Sequence, residues 1–197
     1  MRLCPVEPRQ GRCTRYVRSD EELGQALLGA KLLSCPHCGA VVTLNGHGWL
    51  RGYAEAGQER IVRGRRLFCS NRFRRPGCGR TCRVVLAGTL AGFLVTAATL
   101  ACFVLAVLAG ASRKAAWERV VRSGRSELSL RSGYRLWRRL ERARPHIATR
   151  LCAVGPPPPS SSTLPIAQLV AHLESVLPGA ECAFAAFQLR FQASLLG

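Results

Sequence analysis

Four cysteines have the residue type and spacing to hold a metal ion. Cys35 and Cys38 flank Pro36-His37 and are followed by Gly39; Cys69 and Cys78 are separated by eight residues, and Gly79 follows. A Cys-x-x-Cys-Gly turn lets backbone amides curl toward thiolate sulfur, and two such thiolates fill half of a tetrahedron. The second pair would supply the other half, so the expected centre is a structural Zn2+ held by Cys35, Cys38, Cys69 and Cys78. Cys82 is the rival fourth ligand, and His37 and His47 are substitutes to weigh. Gly79 after Cys78 mirrors Gly39 after Cys38, which favours Cys78 and leaves Cys82 one step into a strand as a core residue. Four thiolates leave no open coordination position, so the centre reads as a clamp and not as a reaction site.

Little else in the chain suggests catalysis. There is no phosphate-binding Gly-x-x-x-x-Gly-Lys-Ser/Thr loop, no His-Glu-x-x-His and no Gly-x-Ser-x-Gly. Asp20 is the sole aspartate, and the acids of the C-terminal half (Glu118, Glu127, Glu141, Glu174, Glu181) are scattered. A two-metal nuclease or strand-transfer site needs clustered carboxylates. A non-enzymatic protein is therefore expected.

Charge points to a polyanionic partner. The chain has 197 residues, 29 Lys or Arg against 11 Asp or Glu, and a net charge of +18. Residues 1–83 hold 16 basic and 6 acidic residues, and residues 113–150 hold 12 and 3. Two basic blocks thus flank an uncharged stretch, and a nearly neutral tail follows. Within the blocks, Arg72-Phe73-Arg74-Arg75 interleaves an aromatic with arginines, and Arg63, Arg65 and Arg66 lie just before it. Arg131, Arg135, Arg138, Arg139 and Arg142 recur at helical spacing. All of these arginines are candidate nucleic-acid contacts.

These residues need elements to position them, and the pattern predicts an α+β chain: a small β zinc ribbon, then an all-α region. Residues 1–33 read as a basic arm followed by a helix over Asp20–Leu33, with Ser19 as N-cap and Glu22 completing a capping box. Residues 34–87 read as the ribbon. Its strands are expected at Val41–Leu44 and His47–Tyr53 around an Asn45-Gly46 turn, then at Ile61–Phe68 and Thr81–Leu86. So small a unit would draw much of its folding free energy from the metal.

Residues 88–154 read as helical, opening with a very apolar helix over 88–111. Val84 to Ser112 carry no charge over 29 residues, long enough for a membrane span by hydropathy alone. Ser112 should cap a helix to about Arg122; a break at Ser123-Gly124-Arg125-Ser126 and a helix from Tyr134 to about Leu151 follow. Pro145 should kink or split that helix. Its apolar face is Leu136, Leu140, Ala143, Ile147 and Leu151. The two helices suit a helix-turn-helix whose recognition helix begins near Ser132. Residues 155–163 form a Pro/Ser linker. Residues 164–197 read as a helical hairpin broken at Pro178-Gly179.

Cys-Pro-His-Cys-Gly, then Leu44-Asn-Gly-His47-Gly-x-x-Arg51-Gly-Tyr53, then Arg-Arg-Leu-Phe-Cys69 and Gly-Cys78-Gly-Arg-Thr, resemble the zinc-ribbon heads of bacterial insertion-element transposases and related proteins. Ser132-Gly-Tyr134-Arg-Leu-Trp137-Arg-Arg-Leu140 resembles the recognition helix that follows the ribbon there. The match spans about residues 34–145. It departs from a full transposase in the long insertion of the second knuckle and in the want of a catalytic domain. The resemblance implies duplex-DNA binding by an accessory protein, a regulator or a remnant, with 88–111 opening a buried bundle. A homodimer through 88–111 or the C-terminal hairpin is a further expectation. The segment Met1–Arg18 is polar, with no apolar signal-type stretch, which favours a cytoplasmic location. The alternative is a single-pass inner-membrane protein spanning about 88–111, with a cytoplasmic ribbon.

Overall fold

A computed structural model describes residues 13–54, 59–121 and 128–197. Residues 1–12, 55–58 and 122–127, the last including the predicted turn at 123–126, lie outside them. The chain is α+β and divides into two compact units. Of the described residues, 13–50 and 62–86 form the first, and 51–54, 59–61, 87–121 and 128–197 form the second.

The first unit is built on a four-stranded sheet. Its strands are β1 (Cys13–Val17), β2 (Leu44–Tyr53), β3 (Arg60–Cys69) and β4 (Thr81–Leu86), ordered β1-β4-β3-β2. β3 and β4 fall where the β-branched runs predict them. β1 corrects the expected irregular arm: Cys13–Val17 pairs in parallel with Cys82–Leu86, burying Tyr16 and Val17. Flanking arginines disguise this strand in the sequence. The predicted strand at Val41–Leu44 is also corrected. Val41 and Val42 are exposed, and Val42 sits at φ 59°, because the chain there is closing a turn. Asn45-Gly46 is accordingly no hairpin turn but the start of β2. Helix α1 (Asp20–Leu28) begins as expected, with the Glu22 amide donating to Ser19 Oγ at 3.3 Å. It ends earlier, in a 3-10 turn over Gly29–Leu32. Its buried face, Leu23 and Ala26, joins Val17, Ala30, Leu44, Leu67 and Val84 in a small core of its own.

The second unit contains α2 (Ala97–Leu108), α3 (Arg113–Val121), α4 (Leu130–Cys152), α5 (Pro165–Val176) and α6 (Ala183–Phe191) around a separate, larger core. The uncharged run is not one helix. After β4 ends at Leu86, residues 88–96 make a turn stapled by a Thr89–Thr96 bridge, with Gly92 at φ +79°. Thr96 then caps α2, accepting from the Thr99 amide at 3.0 Å. A helix of 12 residues is about 18 Å long, well short of the ~30 Å hydrocarbon layer. Among the described residues no helix is long and apolar enough to cross a membrane.

Ser112 caps α3 through its hydroxyl, which accepts from the Ala115 amide at 3.2 Å. α4 begins at Leu130, earlier than predicted, and runs unbroken through Pro145. Proline is tolerated there because Glu141 and Pro145 both lie on the exposed face, where water can reach the carbonyl that loses its donor. The five predicted apolar residues of α4 are all buried, and Gly133 and Trp137 join them. The apolar faces of α5 and α6, including Leu169, Leu173, Phe184 and Phe187, are buried in this same core.

Gly133 shows how closely α3 and α4 approach. A Cβ there would sit 2.6 Å from Cγ and Cδ2 of Trp117. That indole is fully buried, stacked edge-on against Phe103 at 5.3 Å, and donates from Nε1 to the Ser129 carbonyl at 3.1 Å. Ala is the better helix former by about 1 kcal/mol, yet the ring cannot retreat. Gly133→Ala is therefore expected to lower stability by about 1–3 kcal/mol, read as a drop in the thermal midpoint of the helical signal. An unchanged or raised midpoint would show that the ring has room.

Candidate metal centre

Cys35, Cys38, Cys69 and Cys78 converge in the first unit. Cys35 Sγ lies 3.8 Å from Cys78 Sγ, Cys38 Sγ lies 3.7 Å from Cys69 Sγ, and all four sulfurs fall within 4.8 Å of one another. The four can hold a metal ion. Cys35 and Cys69 are buried, Cys78 is half-buried and Cys38 is exposed, so the centre sits at the rim of the small core.

Two knuckles with matching hydrogen bonds build it. In the first, the Gly39 amide donates to the Cys35 carbonyl at 2.8 Å, and the Cys35 amide donates to the Ala40 carbonyl at 2.8 Å. In the second, the Gly79 amide donates to the Cys69 carbonyl at 2.9 Å, and the Cys69 amide donates to the Arg80 carbonyl at 2.9 Å. Gly39 and Gly79 occupy the left-handed region at φ +74° and +72°, which side chains disfavour. The eight residues of the second knuckle therefore close the same turn as the two of the first. The excess is looped out: at its neck, Gly77 lies so close to the Ser70 carbonyl that a Cβ would collide with it.

Amide and hydroxyl donors surround the sulfurs. The His37 amide donates to Cys35 Sγ at 3.4 Å and the Cys78 amide to Cys69 Sγ at 3.3 Å, and the Thr43 hydroxyl lies 3.2 Å from Cys69 Sγ. Burial pushes the Cys35 thiol up to about 12 and also raises Cys78. At Cys69 burial acts in the same upward direction. The Thr43 hydroxyl, the Cys78 amide and the neighbouring thiols outweigh it and hold Cys69 down at about 7. Without a cation, then, Cys69 ionises readily while Cys35 and Cys78 resist. A cation would have to displace their protons as it binds. Thr43 carries no sequence signal as a partner of the site; it lies in the run misread as a strand.

The rival ligands lie elsewhere. Cys82 is buried on β4 in register with Cys13 and outside the cluster. His37 Nε2 lies 3.3 Å from the Thr81 carbonyl, and His47 packs against the Phe68 ring at 5.7 Å.

The predicted basic contacts separate into surface and interior. Arg66, Arg72, Arg74 and Arg75 are exposed. Arg63 is not: it is 3% exposed, and burial lowers its guanidinium to about 10. The alternation of β3 sends Arg63 to the face that also carries Leu67 and Cys69. Arg65, half-buried, lies over the Trp49 ring at 4.5 Å. On α4, Arg131, Arg135, Arg138, Arg139 and Arg142 are all exposed, and with Leu130 and Tyr134 they line one shallow groove. Arg135 also reaches the Gly92 carbonyl at 3.3 Å and lies over Phe93.

Compared with known proteins, the chain matches no family model, no curated protein and no solved structure.

Proposed function

We propose that this chain is a non-catalytic, zinc-dependent DNA-binding protein, related in kind to the zinc-ribbon and helix-turn-helix heads of insertion-element transposases and acting as an accessory, regulator or remnant. The metal is assigned as Zn2+ because a tetrahedron with Zn–S bonds of about 2.3 Å places its sulfurs ~3.8 Å apart, and the two close pairs stand at 3.8 and 3.7 Å. Four thiolate donors also suit zinc over the hard cations.

One observation carries the DNA reading: α4 buries one face completely and presents five arginines on the other. Guanidinium groups match phosphate and guanine edges bidentately. We read α3 and α4, joined through residues 122–129, as the helix pair of a helix-turn-helix. The ribbon's own exposed arginines add a second basic surface. Each phosphate neutralised contributes about −0.9 to the slope of log affinity against log salt. The double variant Arg138→Gln/Arg142→Gln should therefore weaken duplex binding at all sequences and flatten that slope by about 2. A slope identical to the wild type in an anisotropy titration would remove α4 from the interface.

A further inference from the structure

The loop expelled from the second knuckle does not serve the metal. The knuckle closes with the same four backbone partners as its shorter twin, and residues 71–76 project beyond the Ser70–Gly77 neck. At the tip Phe73 is 94% exposed, and Phe73 and Arg74 stand consecutively in the left-handed region at φ 54° and 60°. Non-glycine residues are held in that region at a cost, and such residues concentrate at binding sites. The loop also forms one wall of a cleft of about 370 Å³. The opposite wall is a ring pair, His47 near the start of β2 and Phe68 near the end of β3. Asn45, Gly46 and Ser70 complete the lining, and Arg72 and Arg75 stand at it with no carboxylate among the lining residues. A side chain at Gly46 would collide with the Arg65 guanidinium beneath.

Rings beside guanidinium groups, in a cleft at the lower end of small-ligand size, select a planar aromatic group that carries negative charge. We infer that this cleft binds a single unpaired nucleotide, its base stacked on Phe73 and its phosphate held by Arg72 and Arg75. The inference rests on the nucleic-acid reading above and deepens it. A duplex keeps its base faces stacked inside and offers the loop only phosphates; an overhang or a single strand offers a base face. The ribbon would thereby direct the protein to duplex ends or junctions carrying an unpaired strand.

Anisotropy titrations of the zinc-loaded protein would use a blunt duplex, the same duplex with a single-stranded overhang, and anionic vesicles. Base–aromatic stacking predicts at least about fivefold tighter binding to the overhang than to the blunt end. Phe73→Ala should abolish that difference and leave blunt-duplex affinity and zinc content unchanged, and Phe73→Trp should keep it. 2-Aminopurine placed in the overhang should be quenched by the wild type and not by Phe73→Ala. Duplex binding with no overhang preference, or a preference that survives Phe73→Ala, overturns the cleft assignment and leaves the α4 interface standing. A Phe73-dependent affinity for vesicles alone would make the loop a membrane contact and overturn it as well. Binding to neither duplex nor overhang would overturn both readings.

Discussion

Cys35→Ser and Cys78→Ser are each expected to release the metal and unfold the first unit, while Cys82→Ala and Cys182→Ser retain a full equivalent. A structural thiolate site contributes about 10–16 kcal/mol of apparent binding free energy, comparable to or larger than the ~5–15 kcal/mol net stability of a whole domain. The core around this site is small: Leu23, Leu44, Leu67 and Val84 are among its few large members. It cannot hold the knuckles closed once a ligand is lost. Chelation should have the same effect as substitution. The second unit has its own core, centred on Phe103, Trp117, Leu140 and Phe187, so most of the helical circular dichroism should persist in the stripped protein. Metal content by atomic spectroscopy, read beside the dichroism, checks both halves. Equal metal in all four variants, or loss in Cys82→Ala, would defeat the ligand assignment. Metal affinity should also fall as pH falls, since protons compete for the thiolates that the cation requires.

The second large effect is expected at Gln188, which is fully buried on α6. Its Nε2 donates to the Ala87 carbonyl at 2.6 Å and the Thr89 carbonyl at 2.8 Å, and its Oε1 accepts from the Leu195 amide at 3.0 Å. One amide group thus ties the segment after β4 and the last residues of the chain to the same helix. Gln188→Leu keeps the volume but removes three hydrogen bonds, two of them to buried backbone groups at Ala87 and Leu195 that cost about 1–3 kcal/mol each when left unsatisfied. A loss of about 4 kcal/mol in the second unit is expected. Arg190→Gln, exposed two residues on, should be nearly neutral. Chemical denaturation followed by the helical signal would measure both. A loss below about 1 kcal/mol for Gln188→Leu would mean that water replaces the side chain.

The metal ligands were legible because their chemistry is local. Gly39 and Gly79 mark the same turn twice, and that repetition singles out Cys78 over Cys82 from residue type and spacing alone. The apolar face of α4 was equally legible, since a period of 3.6 over several turns has no other reading. Other features were hidden for physical reasons. Cys13–Val17 is a strand only because β4 offers it an edge, and a parallel partner some 70 residues away leaves no local mark. Arg63 looks like a surface cation until the alternation of β3 is anchored by Leu67 and Cys69. The uncharged run suggested one long helix because hydropathy counts apolar side chains and ignores where the backbone turns. Gly92 at positive φ and the Thr96 cap decide that.

By itself the sequence determined the four cysteines that cluster, the amphipathic α4 helix and the large excess of positive charge. These follow from residue type and short spacing. The tertiary structure alone decided what the uncharged stretch becomes, which arginines reach the surface, and that the long second knuckle closes like the short one. Each of these depends on partners distant in sequence: Gln188 receives the segment after β4, β3 alternation hides Arg63, and the Ser70–Gly77 contact expels a loop carrying Phe73.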